Sequence, residues 1–254
     1  MSSVTGRIRH IKQPRGGYIK PSSMKVVEFK DRKVLSENEN VHYSIIGMAV
    51  DYLTRFKMGS DINEAFEISI KGARIADKFS EIESYLKKIK GLSDVSITNA
   101  CKAVTFDVWY RDPYAAMRAK GAGETNPDKN TIRNIKILVE RCIKFWEKYG
   151  PVKVQGFTFE KKGYTDVVNA GDGDFLTKDT IWDIKVSKNK PRSNNTLQLL
   201  MYYIMGKHSK KPEFAKIKKI GIFNPKLNTV YLLDVKDIPK STIKTVEKDV
   251  ICYE

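Results

Sequence analysis

From about residue 37 to residue 90, apolar side chains recur every three or four positions, the pattern of helices buried along one face. The first series, Ile45, Met48, Tyr52, Leu53 and Phe56, follows Ser36-Glu37-Asn38-Glu39, which has capping-box spacing, and Gly59-Ser60 closes it. Similar series predict helices over 61–78, carrying Ile62, Phe66, Ile70 and Ala73, and over 79–90, carrying Ile82, Leu86 and Ile89 and stopping at Gly91. The stretch 103–110, Ala-Val-Thr-Phe-Asp-Val-Trp-Tyr, fits either a strand or a buried helix end. Residues 111–126, with Asp112-Pro113 and Gly121-Ala122-Gly123, read as a loop that is a domain boundary or a flap. Asn126-Pro127 then offers a cap and a first-turn proline to a helix whose stripe is Ile132, Ile135, Leu138, Val139, Cys142, Ile143 and Trp146 and whose stop is Gly150.

Beyond Gly150 the period changes to that of strands: Val152, Val154 and Phe157 to Phe159, then short runs over 173–177 and 180–187. A helix over 194–207 carries Leu197, Leu200, Met201 and Ile204 on one face, and strands at Ile217 to Phe223 and Thr229 to Val235 follow. The expected architecture is α/β (α+β): a basic arm over 1–36, a mainly helical lobe over 37–126, and an αβββαβ core over 127–254 with a central mixed sheet flanked by helices.

Charge adds a partner class. The chain of 254 residues carries 46 lysines and arginines against 30 acids, a net +16, which attracts polyanions as well as aiding solubility. Residues 1–36 hold nine of those basic residues against Glu28 and Asp31. A second cluster runs through Lys188, Lys190, Arg192, Lys207, Lys210, Lys211, Lys216, Lys218 and Lys219 against Glu213. No apolar run approaches the roughly 18 residues that cross a bilayer, and the polar start lacks the apolar stretch of a secretory signal. A soluble, cytoplasmic protein with no membrane partner is expected. Cys101, Cys142 and Cys252 are odd in number and far apart, which suits reduced thiols better than disulfides or a zinc site.

The chemistry-bearing window is Gly171-Asp-Gly-Asp-Phe-Leu-Thr-Lys-Asp-Thr-Ile-Trp-Asp-Ile-Lys-Val-Ser-Lys188. In a strand from Thr180 to Ser187, Trp182, Ile184 and Val186 share one face, while Ile181, Asp183, Lys185 and Ser187 share the other. With Lys178-Asp179 as a two-residue hairpin tip, Leu176 faces Ile181, Asp174 faces Asp183 and Asp172 faces Lys185. Two facing carboxylates repel unless a cation neutralises them. Hard oxygen ligands at that separation suit magnesium or manganese, whereas zinc has no Cys/His cluster here. Lys185 reaches the same centre and can stabilise charge on a phosphate, which together describes metal-dependent phosphodiester hydrolysis. The same residues also fit an ordinary hairpin turn with a solvated strand face.

These residues resemble the PD-(D/E)XK nuclease superfamily, and within it the RecB-like branch. The resemblance runs through Gly171-Asp172-Gly173-Asp174, Thr180-Ile181-Trp182 leading into Asp183-Ile184-Lys185, and Leu197-Gln198-Leu199-Leu200-Met201-Tyr202-Tyr203, within the order helix, three strands, helix, strand from 127 to 223. It implies that Asp174 and Asp183 bind the metal, that Lys185 is the catalytic lysine, and that Gln198 stands beside the site. Gly173 replaces the proline the family places before the first acid. RecB-like members often carry a further acid on the helix before the first strand; Glu140 is the candidate, and an intrahelical pair with Lys136 or Lys144 is its other role. Members with an iron–sulfur cluster use four cysteines, so none is expected here.

Lys188, Lys190 and Arg192 suit phosphates beside the scissile bond or a solvated loop. Tyr202, one turn from Gln198, suits the nucleic-acid site or the core. Gly47, Asp51 and Arg55 recur at four-residue steps, and an Asp51–Arg55 pair within a helix follows. His10, His42 and His208 stand apart from any acid pattern. The expectation is a magnesium- or manganese-dependent deoxyribonuclease, with RNA left open as substrate, in a bacterial or phage setting of replication, recombination and repair, or defence. The alternatives are a non-cleaving nucleic-acid-binding module and a subunit of a larger assembly, with a protein partner or a second copy of the chain.

Overall fold

The computed structural model describes residues 2–160 and 162–254. In chain order its elements are β1 (Ser2–Ser3), α1 (Val4–His10), β2 (Lys25–Glu28), α2 (Tyr43–Lys57), α3 (Ile62–Ala65), α4 (Glu67–Ile75), α5 (Phe79–Leu86), α6 (Asp94–Ala103), α7 (Asp107–Arg111), α8 (Pro113–Ala116), α9 (Lys129–Tyr149), β3 (Val154–Phe157), β4 (Val168–Ala170), β5 (Gly173–Leu176), β6 (Thr180–Ile184), α10 (Ser193–Ser209), α11 (Pro212–Ala215), β7 (Lys219–Asn224), β8 (Thr229–Asp234) and α12 (Lys240–Thr245). They form two compact units: residues 1–30 with 145–254, and residues 31–144. No helix among the described residues is long and apolar enough to cross a membrane.

The first unit is built on a six-stranded mixed sheet of order β2-β8-β7-β6-β5-β3, in which β6 and β7 are parallel and the other neighbours antiparallel. Alternation along β6 sorts the two faces. Trp182 meets the aromatic end of α9, with its ring centroid 4.9 Å from that of Phe145, which in turn stacks on Phe223 at 4.4 Å. Gly221, paired with Trp182, has no room for a side chain because a Cβ there would stand 2.3 Å from the indole. The opposite face, through Ile181, Ile220 and Ile222, packs against Leu197, Leu200, Met201 and Ile204 of α10 in one buried cluster.

Residues 1–36, read from sequence as a basic arm, mostly belong to this unit. Val4 and Ile8 of α1 and Ile19 are buried in the α10 cluster, and β2 pairs with β8 at the sheet edge. The apolar residues are too widely spaced among lysines and arginines to register as a pattern, yet each finds a core position. The units part after Lys30 and Lys144, where the sequence reading drew its lines at 36 and 126.

In the helical unit, several boundaries shift for identifiable reasons. Ser36 to Glu39 do not start α2: the Ser36 amide and carbonyl and the Glu39 carboxylate all bind the amide side chain of buried Asn134 on α9. His42 instead precedes α2, its Nδ1 accepting from the Ser44 amide. Asn126-Pro127 likewise yields its role to Asp128, whose Oδ1 accepts from the Thr131 amide at 2.7 Å before α9. The 61–78 helix is broken at buried Phe66. The ambiguous 103–110 stretch is helical, a 3-10 turn over Val104–Phe106 running into α7. Asp51 and Arg55 form the expected pair at 2.7 Å.

Candidate active site

The hairpin forms in the expected register. Thr177 N–H donates to the Thr180 carbonyl around Lys178-Asp179, and Leu176 pairs with Ile181 and Phe175 with Trp182. Beyond that pair the ladder opens, so the expected pairs Asp174–Asp183 and Asp172–Lys185 are not part of it. Asp174 turns its Oδ2 to accept from the Ile184 amide at 2.8 Å, and β6 passes its next backbone bond to the other neighbour, Lys185 N–H donating to the Phe223 carbonyl. The first acid is thereby hydrogen-bonded directly to the strand that carries the second.

Asp183 is buried, 2% exposed, because its face of β6 is covered by α10. Its Oδ1 lies 2.9 Å from Lys185 Nζ, and its Oδ2 has no hydrogen-bond partner. A buried carboxylate oxygen left without a donor costs on the order of 1–3 kcal/mol. Desolvation pulls the Lys185 ammonium pKa down, but Asp183, Asp174 and Asp172 more than offset it, so the net shift is upward. Lys185 is therefore a standing positive charge suited to stabilising an anion, and a poor proton acceptor.

On α10, Gln198 Nε2 donates to the Tyr202 hydroxyl at 2.8 Å, and that hydroxyl donates to the Asp172 carbonyl at 2.7 Å. Burial, with Asp183 next, pushes the Tyr202 phenol well above its ordinary pKa, so it remains a donor. The sequence-expected residues Asp174, Asp183, Lys185, Gln198 and Tyr202 are thus linked through the β5–β6 hairpin and one turn of α10. Lys188, Lys190 and Arg192 lie exposed on the segment from β6 to α10.

Glu140 does not make its expected intrahelical pair. It is paired with Lys33 within the helical unit. Sequence reading also missed Asn224, 1% exposed at the end of β7, whose Nδ2 donates to the carbonyls of Ser187 and Asn189 and so pins the backbone just after Lys185. Asn224-Pro225 reads locally as a turn signal, and its service to a segment 35 residues upstream leaves no trace in spacing. The N-terminal segment braces the start of α10 in the same way. Gln13 Nε2 donates to Asn194 Oδ1, and Thr196 Oγ1 donates to the Ile19 carbonyl.

Among the described residues no group of three or more His, Cys, Asp or Glu side chains gathers as a metal site. Two carboxylates still fit magnesium, which keeps several waters and is often held by one or two carboxylates plus substrate phosphate. The unpartnered Oδ2 of Asp183 is where such an ion relieves a cost. No family model, no curated protein and no solved structure matches this chain.

Proposed function

We propose that this protein is a divalent-metal-dependent nuclease that hydrolyses phosphodiester bonds of DNA, with a PD-(D/E)XK core of the RecB-like kind. The observation that carries the reading is the half-paired carboxylate of Asp183, buried with one oxygen on Lys185 and the other without a donor, on the strand whose amide binds Asp174. A group so costly to the fold is retained where its charge is used.

In this reading Asp174 and Asp183 hold magnesium or manganese. The ion, when bound, supplies Lewis-acid polarisation of the scissile phosphate and of an attacking water. Lys185 places its ammonium where negative charge grows on the phosphate. Gln198 and Tyr202 hold the Asp172 carbonyl and so fix the approach of β5, and Lys188, Lys190 and Arg192 take neighbouring phosphates. The ammonium of Lys185, 2.9 Å from Asp183 Oδ1, already offsets part of that carboxylate's charge, which favours, as the second reading, a module that binds nucleic acid without cutting it.

The test incubates the full chain with linear, circular and single-stranded DNA in magnesium, manganese or EDTA, beside Lys185→Ala. Metal-dependent cleavage lost in the variant supports the nuclease. DNA binding with no cleavage under any metal transfers the assignment to the binding module.

A further inference from the structure

On the sheet unit, a groove of about 620 Å³ opens between the end of α10, the start of β7 and the segment that follows β8. That volume lies within the range of built ligand pockets. Its floor is aliphatic: Ile217, Val235 and Ile238 are buried, and Ile243 of α12 is half-buried against the same core. The shape is held by backbone. Val235 N–H donates to the Lys218 carbonyl, and Ile238 N–H closes the next turn onto the Val235 carbonyl.

The rim is cationic. Lys218, Lys236 and Lys240 line the groove, and among the described residues none of their ammonium groups makes a hydrogen bond or an ion pair, although Lys218 adds its charge to that of Lys219 beside Asp179. Two neighbouring lysines differ in this respect: Lys219 is bound to Asp179, and Lys207 donates to the Phe214 and Ala215 carbonyls. One carboxylate, Asp234, lines the groove with the three lysines, and Asp237, on the same turn as Lys236, does not.

We infer that this groove is a docking site for a short acidic peptide segment that inserts a bulky apolar side chain between carboxylates. The complementarity has two parts: an aliphatic floor takes the side chain, and uncommitted ammonium groups around it take the acids. Nucleic acid offers the anions but not the insert, because bases are held by stacking on aromatic planes. The one aromatic ring in the lining, Tyr203, already lies beneath Lys207 Nζ at 5.5 Å. The inference stands independently of the nuclease reading, since it uses none of the residues of that site.

The test uses the full chain and a fluorescein-labelled peptide with a Leu-Phe pair flanked on both sides by aspartates, read by anisotropy in EDTA. Controls are the same peptide with Ser-Ser for Leu-Phe, the same peptide with asparagines for aspartates, and unlabelled oligothymidylate as competitor. Saturable binding is expected of the first peptide only. It should weaken about tenfold in Lys236→Glu/Lys240→Glu and in Ile243→Asp, and by less than twofold in Lys57→Glu/Lys120→Glu, which removes equal charge elsewhere. Equal binding of the Ser-Ser peptide, equal loss in both lysine pairs, no binding at all, or displacement of the peptide by oligothymidylate would overturn the inference. The lysine pair is exposed, so it keeps the test intact should Ile243→Asp fail to fold.

Discussion

Lys185 and Asp183 are joined on one side only: Nζ stands 2.9 Å from Oδ1, and Oδ2 of the same buried carboxylate has no hydrogen-bond partner. Removing the lysine strands a buried charge, whereas removing the charge relieves the strand. Lys185→Met is therefore expected to lower stability by about 2 kcal/mol at pH 7, a value held below that of a fully buried pair because the lysine is one-third exposed. Asp183→Asn should melt no lower than the parent, and Lys185→Met/Asp183→Asn should recover most of the loss. Urea titration of the four proteins measures this, and additive effects would mean that the two groups are not coupled.

The most deeply buried acid of the helical unit makes stability depend on pH. Asp107 is fully buried, and burial lifts its carboxyl from 3.8 to about 6 against the opposing hydrogen bonds of Ser69 and Tyr52. The folded chain holds this proton more tightly than the unfolded chain. The stability it confers is thus complete below pH 3.8 and lost as pH rises through about 6, a change of roughly 3 kcal/mol. The difference in unfolding free energy between the parent and Asp107→Asn, from urea titrations at pH 3 to 8, should move by about that amount. A constant difference would show that Asp107 is charged throughout.

Gly173 immediately precedes Asp174 and lies under the Phe157 ring, where a Cβ would come within 2.0 Å. Gly173→Ala is expected to cost about 1–3 kcal/mol by overpacking. On the nuclease reading it also lowers cleavage, because displacing β5 moves Asp174 off the Ile184 amide. Thermal melts and cleavage assays at a temperature where the variant is folded separate the two effects.

If Lys188, Lys190 and Arg192 hold phosphates, each contact releases counterions. Replacing them singly by alanine, in EDTA, should weaken DNA binding and reduce the slope of log affinity against log salt by about 0.9 per lost contact on duplex. An unchanged slope in all three variants would return them to a solvated loop.

Deleting residues 1–30 tests the status of the basic N-terminal region. Val4, Ile8 and Ile19 are each 5% exposed or less, and burial of such side chains stabilises by about 1.5–3 kcal/mol apiece, a sum comparable to a domain's whole stability. The truncated chain is expected to lose its cooperative melt and not merely its affinity for DNA. A native-like melt would show that the sheet unit does not need α1 and β2.

The elements carried by strong local pattern were legible along the chain. The α9 stripe and the tip of the β5–β6 hairpin follow from spacing of 3.6 or 2 residues with turn residues at their ends, whereas α10, read as apolar on one face, is buried nearly all round from Thr196 to Gly206. The expected facing of Asp174 with Asp183 and of Asp172 with Lys185 does not form, because the ladder ends at Phe175–Trp182 and Asp174 turns to the Ile184 amide. Other features were settled only in three dimensions, where a partner distant in sequence decides the outcome. β2 becomes a strand because the edge of β8 is there to pair with it. Ser36 and Glu39 leave the helix cap because Asn134 takes their hydrogen bonds, and Glu140 turns to Lys33. The half-paired state of Asp183 belongs to the same group: the residue and its face are local, but the burial that makes its second oxygen costly comes from α10 closing over the sheet.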